Sequence, residues 1–226
     1  QSDFIVNNVA PQVLSGDIVL NSTSSLILTE GGGETTGFTL DFTATDANSC
    51  INVASTSEMV SFDIGIYRSG VGSSTCDGSA GPYDPNSCYT SAVAPASWNL
   101  NCTASSTSCT GAADDSQVWN CTFPLWFVAD PTDAGPETPS SLQPQDWRAA
   151  VSVSDDNSAT STFTETSGAK ELISFTALDL LTAEIPYGSL EPGDDSGTLN
   201  ATTTIDNFGN TGLDQEVEGE SMCTTF

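Results

Sequence analysis

Alternation of apolar and polar residues runs along most of the chain and predicts β-strands rather than helices. The strongest example lies within residues 117–130, where Trp119, Cys121 and Phe123 are spaced two apart with polar residues between them. A period of two with aromatic content is typical of a strand that has one face against a core. We expect the other strands to pack against this one or to be tied to it by a disulfide.

Three further segments alternate in the same way, at 38–46, 59–68 and 147–155. Turn-forming residues separate them at the spacing expected of a β-sandwich, and no helical period appears. The sequence therefore predicts an all-β fold.

The predicted strands divide the chain into unequal parts. Residues 14–181 are expected to form one β-sandwich, with a disulfide-rich, loop-rich insertion at 69–116 that cannot build its own core. Residues 182–226 contain only about three or four short alternating segments, too few to close a two-sheet core. The sequence thus predicts a second, incomplete lobe. Residues 1–13 contain a short apolar patch, which is either a frayed first strand or a strand available for donation.

The charge balance is strongly acidic: 30 acidic residues stand against Arg68, Arg148 and Lys170, and there is no histidine. This argues against nucleic acid, because phosphate contacts need clustered basic residues. The acidic residues either form a solvated surface or, in part, collect divalent cations. No apolar run approaches the roughly 20 residues of a membrane span.

Catalytic patterns are missing from the sequence. Without histidine there is no Ser-His-Asp or Cys-His arrangement, and the carboxylates show no recognisable frame for acid–base chemistry. The sequence predicts a protein that is not an enzyme.

Seven cysteines in a Ser/Thr-rich, lysine-poor chain favour an oxidising compartment, and no C-x2-C spacing or histidine supports a zinc site. Spacing alone does not fix the connectivity. The pairing we consider joins Cys76 to Cys88, Cys102 to Cys121 and Cys50 to Cys109. Cys223 would remain, either as a free thiol or as a link to another subunit.

Four N-x-Ser/Thr sequons begin at Asn21, Asn101, Asn120 and Asn200. Chance alone could supply them in so Thr-rich a chain, but attached glycans would suit an exported protein. Together with the cysteines, the sequons predict an extracellular, cell-surface location.

The run FTLDFTATDANSC, the strand ending in YR, the cysteine-rich insert and WRAAVSVSDDNS together resemble immunoglobulin-like β-sandwich modules of prokaryotic cell-surface proteins, of filament or surface-layer type. The tail is similar to the start of a following module in tandem arrays. The resemblance covers most of residues 18–220, although the later strands of the second module are missing. It implies a structural or adhesive role, with calcium bound in end loops in some members.

A calcium site is one expectation for the acidic loops. If strands 38–46 and 147–155 run toward the same end of the sandwich, their following loops meet there, and calcium takes six to eight oxygen ligands from such loops. The candidate ligands are Asp46, Asn48, Asp155, Asp156 and Asn157. The alternative is that these residues only favour turns, where they bond their own backbone.

The incomplete lobe leads to the functional expectation. An uncovered sheet edge can be filled by a strand from another copy, which produces head-to-tail filaments. The inserted anchors would be Phe4, Ile5, Val6 and Val9. We therefore expect a homopolymeric, pilus-like structural subunit. The alternative is a calcium-dependent adhesin or glycan-binding module of a larger cell-surface protein, with Tyr83, Tyr89 and Trp98 as candidates for sugar stacking.

Overall fold

The computed structural model describes residues 7–51, 58–111, 113–182, 191, 193, 195, 197–198, 202–214 and 216. Strands dominate this part of the chain, which confirms the predicted all-β class. The strands are β1 (Gln12–Leu20), β2 (Ser25–Leu26), β3 (Glu34–Thr45), β4 (Met59–Arg68), β5 (Cys88–Thr90), β6 (Asn101–Ala104), β7 (Ser116–Trp126), β8 (Trp147–Asp155), β9 (Thr164–Glu165), β10 (Glu171–Leu172), β11 (Leu178–Leu180) and β12 (Ile205–Asn207).

Two four-stranded antiparallel sheets face each other across one core, an arrangement consistent with a β-sandwich. The strand orders are β1-β3-β7-β6 in the first sheet and β5-β4-β8-β9 in the second. Aromatic rings bridge the two layers: Phe62 of the second sheet lies 5.8 Å from Phe42 and 5.1 Å from Trp119 of the first, between ring centroids. Such edge-to-face contacts stabilise the packing beyond the apolar area that they bury.

Strand β7 is the interior strand on which the first sheet is built, between β3 and β6. Trp119, Cys121 and Phe123 are buried while Asn120 and Thr122 are exposed, as the alternation predicted. Pro124, which has no N–H to donate, lies where the register with β3 shifts. Proline is tolerated in a sheet at such irregularities.

The cysteine-rich insertion at 69–116 consists mainly of turns and loops, and it also contributes strands to both sheets. It supplies β5, which pairs with β4, and β6, which pairs with β7, so it adds an edge strand to each sheet. Tyr89 and Trp98 are buried in the main core, and the Trp98 indole Nε1 donates a hydrogen bond to the Pro124 carbonyl at 3.0 Å. Large aromatic side chains bury themselves here even though the surrounding sequence is polar.

Three disulfides reinforce the sandwich. They join Cys50 to Cys109, Cys76 to Cys88 and Cys102 to Cys121, which are the pairs considered from the sequence. The first ties the loop after β3 to the insertion, and the last staples β6 to β7. Each restricts the unfolded chain and thereby stabilises the fold by about 2–4 kcal/mol.

Two domain boundaries differ from the expected ones. Strand β1 begins at Gln12, and Val13 is buried and pairs with Ala44, so the end of the predicted 1–13 segment belongs to the sandwich. At the other boundary, β11 lies within the predicted 14–181 domain but pairs with β12 of the second lobe. Both differences arise because strand pairing, rather than local composition, decides where each segment belongs.

The hairpin formed by β11 and β12 is joined to the sandwich by close backbone packing. The Gly32 N–H donates to the Phe208 carbonyl at 3.2 Å, and the Phe208 ring lies 6.2 Å from that of Phe127. The Asn210 N–H donates to the Phe175 carbonyl at 2.9 Å. The hairpin is thus anchored at the end of the sandwich where β3 begins.

Gly209 is expected to be indispensable at this junction. A Cβ atom there would lie 2.2 Å from the Phe175 carbonyl oxygen and 2.7 Å from the Ala177 nitrogen, and backbone atoms cannot swing away. We expect Gly209→Ala to cost about 1–3 kcal/mol of hairpin docking. Hydrogen exchange at the Phe208 and Asn210 amides measures this loss.

The matched control is Gly212→Ala, since a Cβ at Gly212 would meet no atom within 4 Å. Protection of the two amides is expected to be unchanged in that variant. Equal protection in both variants and the wild type would contradict the packing described here.

Candidate functional site

One end of the sandwich gathers acidic side chains from three separate segments. Asp46 follows β3, Asp155 ends β8, and Glu58 immediately precedes β4, whose Met59 pairs with Asp155. We call this end the acidic pole. It comprises Asp46, Asn48, Glu58, Asp155, Asp156 and Asn157.

The acidic pole thus contains all five residues predicted as calcium ligands. Asn48, Asp156 and Asn157 line one open groove of about 380 Å³ together with Glu58 and Asn8. Burial, together with the negative charges of the three aspartates at this pole, raises the pKa of the Glu58 carboxyl above its ordinary value. The carboxylates are therefore close enough to repel one another.

Hydrogen bonds at the pole assign turn roles to two aspartates. Asp46 Oδ1 accepts from the Asn48 N–H at 2.8 Å, and Asp155 Oδ1 accepts from the Ala159 N–H at 2.7 Å. Both are local side-chain-to-backbone bonds of the kind that stabilise loops. A turn role therefore explains Oδ1 of Asp46 and Oδ1 of Asp155, since each of these atoms accepts a hydrogen bond from a nearby backbone N–H.

The turn role does not explain the second carboxylate oxygen of Asp46, Oδ2. Asp46 is 1% exposed, and within the described part of the chain its Oδ2 atom has no hydrogen-bond partner. A buried carboxylate oxygen without a partner is costly. Among these same residues, however, no three acidic or cysteine side chains are arranged to hold a metal ion.

Basic side chains do not offset the charge of the pole, because all three in the chain are engaged elsewhere. Arg68 Nε lies 3.0 Å from Asp130 Oδ2, and Arg148 Nε lies 2.7 Å from Asp146 Oδ1. Lys170 Nζ donates to the Thr23 carbonyl at 2.5 Å. The four carboxylates of the acidic pole therefore face one another without a positive side chain from the described residues.

The chain segment at 7–9 lies across the acidic pole. The Asn8 amide Nδ2 donates to Asp155 Oδ2 at 2.6 Å, and the Val9 N–H donates to Asn48 Oδ1 at 2.7 Å. Neither Asn8 nor Glu58 was identified from the sequence. The signal for Glu58 was its place just before β4, because antiparallel pairing with β8 puts the start of β4 beside Asp155.

The opposite end of the sandwich carries exposed apolar side chains beside Asp179 of β11 and Asp206 of β12. On β11, Leu178 is 57% exposed and Leu180 is 45% exposed, and the adjacent Leu181 is exposed as well. In the described residues β11 pairs only with β12, as a two-stranded sheet. We call Leu178, Leu180 and Leu181 the hairpin face. It lies open to solvent.

The aromatic residues considered for sugar stacking do not form an exposed platform. Tyr89 and Trp98 are buried, and Tyr83 is partly buried with its ring 5.5 Å from that of Tyr89. A sugar ring cannot stack on faces that are already covered by protein.

The four sequons differ in exposure. Asn101 and Asn120 are exposed, Asn21 is buried, and Asn200 lies outside the described residues, as do Phe4, Ile5, Val6 and Cys223. Val9, the remaining predicted anchor, is partly exposed beside the acidic pole.

Comparisons of the chain with protein-family models, with curated proteins and with solved structures found no match. In the residues that the structure describes, no helix has both the length and the apolar character needed to cross a membrane. The three disulfides are compatible with an extracellular or secreted protein. The two ends of the sandwich are therefore the basis for a functional proposal.

Repulsion among the carboxylates of the acidic pole is expected to make the stability of the fold depend on pH. Since the pKa of Glu58 is raised in the folded state, the folded protein binds this proton more tightly than the unfolded chain does, and stability falls as pH rises through that pKa. We expect Glu58→Gln to stabilise the protein at pH 7 by no more than about 1 kcal/mol, because solvent screens a partly exposed side chain. Thermal melting from pH 3 to pH 7 measures the effect.

Below pH 4 the gain should disappear, since Glu58 is then protonated in the wild type as well. Glu171→Gln, at an exposed position in β10, is the matched control and should show no comparable gain. A gain from Glu58→Gln that is the same at every pH would argue against charge repulsion at this pole.

Proposed function

We propose that this chain is a structural subunit of an extracellular, pilus-like filament at the cell surface, assembled head to tail by β-strand donation between immunoglobulin-like domains. The observation that carries the proposal is the position of the two joining parts. Asn8 and Val9 are bound at the acidic pole, and the hairpin face lies at the other end.

Strand β3 gives the separation of these ends. It begins beside Gly32, which bonds Phe208 next to the hairpin, and it ends beside Asp46 at the acidic pole. At about 3.4 Å per residue its 12 residues span roughly 37 Å. A subunit whose donor and acceptor are at opposite ends adds to its neighbour without closing a ring, so growth produces a filament.

The hairpin supports the acceptor role. An isolated two-stranded hairpin is at best marginally stable in water, and an open edge is a template for another strand. Leu178 and Leu180 lie two apart on β11, which is the spacing of side chains on one face of a strand. A donated strand would pair its backbone with the hairpin and cover these side chains.

The donor would come from residues 1–6 of another copy, with Phe4, Ile5 and Val6 as its apolar anchors. Val9, the fourth anchor expected from the sequence, is bound at the acidic pole of its own subunit. Polar contacts of Asn8 and Val9 hold residues 8 and 9 at the acidic pole of their own subunit. The disulfides, and the resemblance to modules of prokaryotic surface proteins, suit such an exposed fibre.

Charging the hairpin face is expected to abolish polymerisation. The double variant Leu178→Asp with Leu180→Asp puts two carboxylates where the donated strand would bury apolar side chains, which is costly for an unpaired charge. Negative-stain microscopy and sedimentation should show filaments for the wild type and folded monomers for the variant. Ile27→Asp is the matched control, because Ile27 is 57% exposed, the same fraction as Leu178. Filaments from the double variant would refute the acceptor assignment.

The donor is tested separately by removing residues 1–6. Because β1 begins at Gln12, the thermal midpoint of the sandwich should be unchanged while filaments disappear. A labelled peptide of residues 1–11 should then bind the truncated protein, and binding should be lost when Leu178 and Leu180 are also replaced by Asp. Filaments that persist after truncation would exclude this donor.

A calcium-dependent surface module is the second candidate. It is favoured by the buried Oδ2 of Asp46, which has no hydrogen-bond partner among the described residues. Calcium bound there would neutralise the acidic pole and tie its loops together. We expect millimolar calcium to raise the melting temperature of the wild type more than that of Asp46→Asn. Magnesium serves as the control, since it holds its own waters more strongly. A melting temperature that calcium leaves unchanged would remove this candidate without affecting the filament proposal.

A further inference from the structure

Two identical tripeptides, at 101–103 and 120–122, lie side by side in the first sheet, and both have the sequence Asn-Cys-Thr. The antiparallel register places Asn101 opposite Thr122, Cys102 opposite Cys121 and Thr103 opposite Asn120. The disulfide between the cysteines joins the tripeptides at their centres. Each tripeptide is an N-x-Thr sequon. Antiparallel pairing therefore places the two sequons side by side in opposite directions, related by an approximate two-fold axis.

Strand alternation directs the two kinds of side chain to opposite faces. Cys121 is buried, whereas Asn101, Asn120, Thr103 and Thr122 are all exposed. β6 is also an edge strand of its sheet. Both asparagine amides, with the threonine hydroxyls that complete their sequons, therefore lie on one outer face that solvent reaches.

The hydrogen bond of Asn120 is compatible with an attached sugar. Its amide nitrogen donates to Asp41 Oδ1 at 2.8 Å. A glycosylated amide nitrogen keeps one hydrogen, so this bond can remain after modification.

Asn21 provides the contrast within the same chain. It is 8% exposed, and its amide nitrogen donates to both Thr23 Oγ1 at 2.7 Å and the Ser25 carbonyl at 3.3 Å. A sugar attached there would remove one of these bonds and would need space that the fold does not leave.

We propose that Asn101 and Asn120 form a twin N-glycosylation site on the outer face of the first sheet, and that Asn21 is left unmodified. In the transfer, the amide nitrogen bonds to the anomeric carbon of an oligosaccharide carried on a lipid diphosphate. The diphosphate leaves with the bonding electron pair, and the nitrogen loses one proton. Diagonal positions across an antiparallel pair are roughly 7–8 Å apart, so the first sugars of the two glycans contact each other. This site does not depend on strand donation.

The test uses the full chain secreted from a host that has N-linked glycosylation. Thr202→Ala, which removes the sequon at Asn200, serves as the parent. Intact-mass measurement should show two glycans on this parent, one when Thr103→Ala is added and one when Thr122→Ala is added. Thr103→Ser keeps the sequon, so both glycans should remain. Thr23→Ala removes the sequon at Asn21 and should leave the number of glycans at two. Enzymatic deglycosylation in ¹⁸O-water converts each glycosylated Asn to labelled Asp, and peptide mapping should locate the label at Asn101 and Asn120.

Three outcomes would overturn the proposal. They are a mass of the Thr202→Ala parent without any glycan, a label at only one of the two positions, or a label at Asn21. Thr103→Ser is the control for misfolding. It changes Thr103 by a similar amount to Thr103→Ala but preserves the hydroxyl, so loss of the glycan in Thr103→Ala alone reflects loss of the sequon.

Discussion

Aromatic packing between the two sheets has to hold together a chain with a formal net charge of −27. Mutual repulsion of that size opposes a compact state. The contacts of Phe62 with Phe42 and Trp119 join the two layers, and burial of such side chains contributes about 1.5–3 kcal/mol each. The three disulfides add to this by restricting the unfolded chain. The aromatic core and the three disulfides thus stabilise a protein in which nearly all charged side chains are acidic.

Much of the fold is readable from local pattern, because a strand with one buried face has a fixed period of two. That is why the alternation around Trp119 identified β7 and its buried side. The insertion is harder to interpret, since Tyr89 and Trp98 lie in a polar segment without periodicity. Tyr89 is placed by the pairing of β5 with β4, and Trp98 is held by its hydrogen bond to the Pro124 carbonyl of β7. Pairing of β11 with β12 likewise depends on a partner about 25 residues away, which composition does not reveal.

Prediction of the candidate site from the sequence has a similar limit, as the acidic pole shows. Topology correctly predicted that the loops after β3 and β8 meet, because both strands run to the same end. Sequence could not separate a ligand from a turn-forming residue, since Asp and Asn serve both purposes. Only the hydrogen bonds distinguish the two oxygens of Asp46, one committed to the Asn48 N–H and the other without a partner in the described structure. Asn8 was missed because it reaches Asp155 from far along the chain.

The two ends of the sandwich differ in chemistry, and this difference bears on how copies would assemble. Two acidic poles that approach each other bring eight carboxylates together, and like charges in apposition disfavour that contact. An acidic pole that approaches the hairpin meets the apolar hairpin face beside the two carboxylates of Asp179 and Asp206, so the repulsion there is weaker. In the proposed filament, repulsion between two acidic poles would favour head-to-tail addition over head-to-head pairing, a form of specificity gained by disfavouring the wrong partner. Because the poles are partly exposed, dissolved salt screens this repulsion within about 8–10 Å, so the directional bias is strongest at low ionic strength.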